Sequence, residues 1–198
     1  MPDGAPPRIA RTRRVGGDGD VEVFVADEQH DHPVDVARWA TLAESVLTAE
    51  GVTGDAELSV LFVDEAAIAD LNQRFMGHDG PTDVLAFPID DDVVELGRAP
   101  DASASGPDRP PLDPNDAPLL LGDVVICPSV AARQASEHAG TVDDELALLV
   151  VHGVLHVLGH DHADEEERTV MRARELELLQ AHHWRGPVPA GFRQEQPE

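Results

Sequence analysis

One segment constrains this chain more than any other: the run Leu146–Leu158, LALLVVHGVLHVL. It is the longest apolar stretch of the chain, interrupted by His152 and His156. At this length it cannot span a bilayer, which takes about 20 residues. Thr141, followed by Asp143, Asp144 and Glu145, marks the start of the helix, with acidic residues suited to its positive end. Gly159 marks the stop, where a left-handed residue turns the chain back. Within the run, His152 and His156 stand one turn apart, both imidazoles on one face and separated by about 6 Å of rise. A buried imidazole without a partner costs about 1–3 kcal/mol, so two in one apolar helix call for a shared explanation.

A metal ion supplies one. Imidazole nitrogens one turn apart can converge on a single ion at about 2.0–2.1 Å each. His162, three residues beyond Gly159, completes H-x3-H-x2-G-x2-H, the spacing with which metzincin proteases build a three-histidine zinc site with an open fourth position. His160 is the competing third ligand, and the glycine offset favours His162. Three neutral histidines leave the ion its full charge and lower the pKa of its water toward ~7. Proteases of this spacing carry a glutamate general base after the first histidine; here that position is Gly153. Asp161 is the remaining carboxylate in the turn, as base, ligand orienter or cap.

Composition narrows the class of protein. The formal net charge is −25 in 198 residues, and every basic residue is arginine. Such acidity argues against a nonspecific nucleic-acid coat, which needs basic residues to displace counterions. The single cysteine, Cys127, rules out an intrachain disulfide. With no apolar signal segment near the start, the expectation is a soluble cytoplasmic protein without a membrane partner.

The expected fold class is α+β: a small mixed β-sheet packed with helices, one of them a zincin-like metal-binding helix. Residues 1–19 read as a flexible Arg/Pro/Gly arm, 20–183 as the folded domain, and 184–198 as a frayed tail. Strands are expected at Val21–Val25, Leu58–Val63 (apolar enough for burial on both faces), Asp83–Ile89 and Leu119–Ile126. The Gly122-Asp123 pair in the last of these reads as a bulge or as part of a cleft. Helices are expected at Val34–Glu50, Glu65–Phe75 capped by Asp64, Ser129–Ala139, Val142–Leu158, and from Asp164 to about His183. Residues 90–118, rich in Asp, Pro, Ala, Ser and Gly, read as a long mobile surface loop.

Three ordered motifs carry a family resemblance: Asn72-Gln-Arg-Phe-Met-Gly-His-Asp-Gly-Pro-Thr-Asp-Val-Leu-Ala-Phe-Pro88, then Leu121-Gly-Asp-Val-Val-Ile126, then the histidine segment. Together, over about residues 20 to 183, they resemble the YbeY endoribonucleases, the bacterial rRNA maturation factors. The resemblance implies a zinc-dependent, single-strand-specific endoribonuclease acting in rRNA processing, chiefly at the 3′ end of 16S rRNA, and in ribosome quality control. It implies His152, His156 and His162 as ligands of one Zn2+, and rRNA within the small ribosomal subunit, together with assembly proteins, as partners. The family's arginine before Pro-Thr is Met76 here; the nearest arginine is Arg74, a candidate for neutralising charge on the scissile phosphate. The family's Leu-Ser-Phe-Pro is Leu85-Ala86-Phe87-Pro88. Arg8, Arg11, Arg13 and Arg14 offer an RNA-binding arm, or else a solvated tail. Two other readings compete: a metalloprotease or another small-substrate metallohydrolase, opposed by Gly153, and a non-catalytic ribosome-assembly factor with structural zinc.

Overall fold

The central helix, α4 (Val142–Val157), organises the molecule as its apolar run requires. In the computed structural model, which describes residues 6–16, 19–89, 118–160 and 164–194, every α4 residue from Asp144 to Leu155 is buried. One side of α4 lies on a five-stranded sheet and another on the helix α1 (Val36–Ala49). The strands are β1 (Arg8–Gly16), β2 (Gly19–Asp27), β3 (Ala56–Phe62), β4 (Val84–Pro88) and β5 (Leu119–Ile126). Their order across the sheet is β1-β2-β3-β5-β4. The β2–β3 and β3–β5 pairs are parallel, while the outer pairs β1–β2 and β4–β5 are antiparallel, so the sheet is mixed. The fold is α+β as expected.

Local chemistry explains most of the boundaries. Asp35, Asp64 and Thr141 cap the starts of α1, α2 (Glu65–Leu71) and α4, each accepting from a backbone N–H three residues on. Asp164 and Glu167 form a reciprocal capping box at the start of α5 (Glu165–Leu178). A short helix, α3 (Pro128–Gln134), follows β5. α2 runs into a π-helical turn at Asn72–Met76, and α5 into another at Leu179–Trp184. α4 ends in a Schellman turn: Gly159 sits at φ 88°, its N–H bonds the His156 carbonyl at 3.0 Å, and the His160 N–H bonds the Leu155 carbonyl at 3.0 Å. Gly122, at φ 149°, marks the register shift between β5 and β3, and a side chain there would collide with the Phe87 carbonyl of β4.

Three expectations need correction. Residues 8–16 of the presumed arm form edge strand β1, because its arginines meet acids across the antiparallel ladder: Arg8 with Asp27, Arg11 with Glu22, and Arg13 with Asp20. They are therefore not a solvated tail. Residues 184–194 of the presumed tail are anchored, since Phe192 packs edge-on against Trp184 with centroids 4.8 Å apart and the Gln194 amide donates to Glu175 at 3.0 Å. β3 alternates buried and half-buried residues instead of being buried on both faces. Most of the proposed 90–118 loop lies outside the described residues, as does the chain before residue 6.

Candidate metal centre at the end of the core helix

The two helix histidines meet as their spacing demands. The His152 and His156 rings are 4.5 Å apart edge to face, and both line one cavity of about 450 Å3. The opposite wall comes from β4 and the turn before it, through Met76, Val84, Leu85, Ala86 and Pro88. Gly159 and His160 close the helix end. His152 is buried and its Nδ1 lies 2.7 Å from Oε1 of Glu175 on α5. That carboxylate is itself buried and its other oxygen accepts from the Gln194 amide at 3.0 Å. A carboxylate on one imidazole nitrogen fixes ring orientation and tautomer and raises the basicity of the other nitrogen, which is how proteins prepare histidine for a metal. A ring so oriented, with a second imidazole 4.5 Å away on the same cavity wall, fits a divalent cation with nitrogen preference.

His162 and Asp161 lie outside the described residues. Among those described, no third histidine, cysteine or carboxylate joins the pair in a metal-holding group. His160 is otherwise engaged, with Nε2 3.2 Å from Glu50 Oε2, while the other oxygen of Glu50 accepts from Arg174 at 2.7 Å. This ties the α4 terminus to α1 and α5, while His160 still lines the same cavity as the pair. Arg74 is exposed on the π-helical turn, paired with Asp70 at 3.0 Å, and it is Met76 that reaches the cavity wall. Cys127 is buried and burial pushes its thiol pKa up, so it is no nucleophile.

Gly153 gains a structural explanation. A Cβ at that position would collide with the Val124 side chain of β5, so the glycine lets helix and sheet approach closely. A protease-type glutamate has no room there.

Sequence reasoning missed Glu175. A signal was present: in α5 it lies at helical spacing between Met171 and Leu178, a carboxylate within the buried stripe.

Fold and site together define a class: an α+β domain whose core helix presents two histidines, one of them oriented by a carboxylate, to a cavity. The family model described as Endoribonuclease YbeY matches residues 24–183. An Endoribonuclease YbeY from Salinispora tropica is 47% identical over 152 residues, covering 77% of this chain and 89% of that protein. Another, from Frankia casuarinae, is 48% identical over 157 residues, covering 79% and 72%. A solution structure of a Thermotoga maritima protein matches with 25% identity and a TM-score of 0.47, over 83% of this chain and 91% of that one. The chain belongs to the YbeY endoribonuclease family.

Proposed function

We propose that this protein is a zinc-dependent endoribonuclease that cuts single-stranded rRNA in the cytoplasm, acting on the small ribosomal subunit at the 3′ end of 16S rRNA and in ribosome quality control. Family membership supports the reaction class, and the absence of any described helix long and apolar enough to cross a membrane is compatible with the location. The observation that carries the metal dependence is the pair His152 and His156 on one cavity wall, the first held by Glu175 at 2.7 Å.

In this reading His152, His156 and His162 hold one Zn2+. When bound, the ion supplies Lewis acidity toward a phosphoryl oxygen. The protein's own residues do the rest. Glu175 holds His152 in one tautomer by accepting its Nδ1–H, and Gln194 fixes Glu175 in turn. The cavity admits an unstacked strand segment between β4 and the helix end, and Met76, Leu85 and Ala86 give it an apolar side. Arg74, on exchanging Asp70 for a phosphate, neutralises charge developing in the transition state. Asp161 is the proposed carboxylate for proton transfer or ligand orientation.

The test is cleavage of immature small ribosomal subunits and of naked RNA, with chelator and with zinc restored, and with product ends mapped. The expected result is loss with chelator, recovery with zinc and much faster cutting in the subunit, where assembly proteins hold the RNA against a strongly acidic enzyme. Undiminished cleavage by metal-free protein overturns the zinc reading. A cyclic phosphate at the product end identifies the RNA 2′-hydroxyl as the nucleophile.

A further inference from the structure

Cation is scarce on this molecule in a way that net charge alone does not convey. Arg8, Arg11, Arg13, Arg38, Arg74, Arg133, Arg168 and Arg174 all face a carboxylate. Among the described residues, no arginine lines the histidine cavity. A second cavity, of about 380 Å3, differs sharply. It lies between α1 and the π-helical turn after α5, and its walls include Arg38, Trp39, Ser45, His182, His183 and Arg185, with no carboxylate among the described residues that line it.

Three features of this cavity point to an anion. Trp39 is 2% exposed, and its indole Nε1–H has no hydrogen-bond partner among the described residues. An indole nitrogen can only donate, so the missing partner is an acceptor. Arg185 makes no ion pair with any described residue, and it is the one non-glycine among them at positive φ, 53°. That conformation is the left-handed cap of the π-helical turn, which fixes where the side chain leaves the backbone. Arg38 stacks its guanidinium 4.6 Å from the Trp39 ring centroid while touching Asp143 at 2.7 Å, an exposed pair that a stronger anion can displace. His183 is held by Asp144 at 2.8 Å, which fixes that wall.

We propose that this cavity is a phosphate-binding site, distinct from the metal centre, that takes a backbone phosphate of single-stranded RNA. Arg185 and Arg38 donate from its rim, and Trp39 Nε1–H, sealed from solvent below them, becomes a donor when the Arg38 guanidinium moves onto the phosphate. The site flanks the start of α4, beside Asp143 and Asp144, whereas the histidines stand near the end of the same helix. From Asp144 to His156 is about 18 Å along the axis. A strand anchored here is held several nucleotides from the cut, and an acidic enzyme gains purchase on a polyanion without carrying a basic surface. The RNA part of this inference rests on the proposed function; the anion part does not.

The test uses the full-length protein, 15N-labelled at its two tryptophan indoles, titrated with a 2′-O-methyl oligoribonucleotide that resists cleavage and, separately, with inorganic phosphate. Both titrations should move the Trp39 indole resonance and leave that of Trp184, which already donates to Asp144 at 2.6 Å, nearly still. Arg185→Asn removes the charge but keeps a residue tolerant of positive φ. It should weaken oligonucleotide binding about tenfold. It should also reduce the slope of log affinity against log salt by about 0.7, one phosphate's share on a single strand, with zinc content unchanged. A Trp39 resonance unmoved by either ligand overturns the site, even if RNA is cleaved. Response to phosphate but not to RNA overturns the RNA assignment and makes the site one for a free phosphate group. Binding at Trp39 by a protein that cuts no RNA leaves the site standing and sinks the proposed activity instead.

Discussion

The two ends of α4 carry buried polar groups to opposite purposes. At its start, Asp144 accepts from Thr141 Oγ1 at 2.7 Å, His183 Nε2 at 2.8 Å and Trp184 Nε1 at 2.6 Å. Next to it Glu145 accepts from the Ala139 N–H at 3.1 Å and faces His138 Nδ1 at 3.4 Å. Those carboxylates are spent on holding the turn before α4 and the segment after α5. At its end, His152 has one nitrogen fixed by Glu175, and both histidine rings face a cavity. The same helix thus shows what separates a structural polar group from a chemical one. The first is enclosed by partners the protein supplies, and the second is held by a carboxylate on a cavity wall.

If this contrast is sound, substitutions at the two ends must fail differently. The largest effect belongs to His156→Ala, which should cost the bound zinc and reduce cleavage at least a hundredfold while thermal unfolding of the metal-free protein barely moves. Zinc analysis and a subunit cleavage assay read the first two quantities, calorimetry the third. Glu175→Gln comes next: zinc affinity, measured by competition with a chromophoric chelator, should fall about 10–100-fold with the fold retained. Between the two ends, Gly153→Ala must push α4 away from Val124, and denaturant unfolding should show a loss of about 1–3 kcal/mol.

The smallest effects concern acid at the start of the helix. Burial raises the Asp144 carboxyl, but hydrogen bonds from Thr141, Trp184 and His183 outweigh it and hold the pKa below the usual value. That stability is present above the unfolded pKa of about 4 and is lost as pH falls through the lower folded value. Burial pushes Glu145 the other way, up, against the opposing Ala139 and His138 contacts. Its contribution is full below the unfolded pKa and is lost as pH rises through the raised folded value. Asp144→Asn should therefore flatten the acid limb of a stability–pH curve, and Glu145→Gln the decline just above it. Neither should alter zinc content.

Much of this was legible in the residues. The apolar run with two histidines read as a helix that buries them, their spacing placed two rings together, and Gly159 turned the chain where its backbone freedom allows. What escaped was non-local. β1 carries the composition of a solvated arm, and its arginines acquire meaning only when Asp20, Glu22 and Asp27 arrive from the next strand. Glu175 stands 23 positions from the histidine it orients, a separation no motif encodes, although its place among Met171 and Leu178 gave a hint. The acidic first turn of α4 suggested a helix-dipole role, yet Asp144 and Glu145 serve tertiary contacts. β3 read as buried twice over because its composition records hydrophobicity, not how far neighbouring elements cover each face.

The most direct test of the central claim is zinc-edge X-ray absorption on the purified full-length protein. The expected spectrum is that of one zinc per chain with three imidazole nitrogens at about 2.0–2.1 Å and a fourth position left to solvent. A shell closed by four protein ligands, or a protein that cuts RNA while holding no zinc, would contradict it.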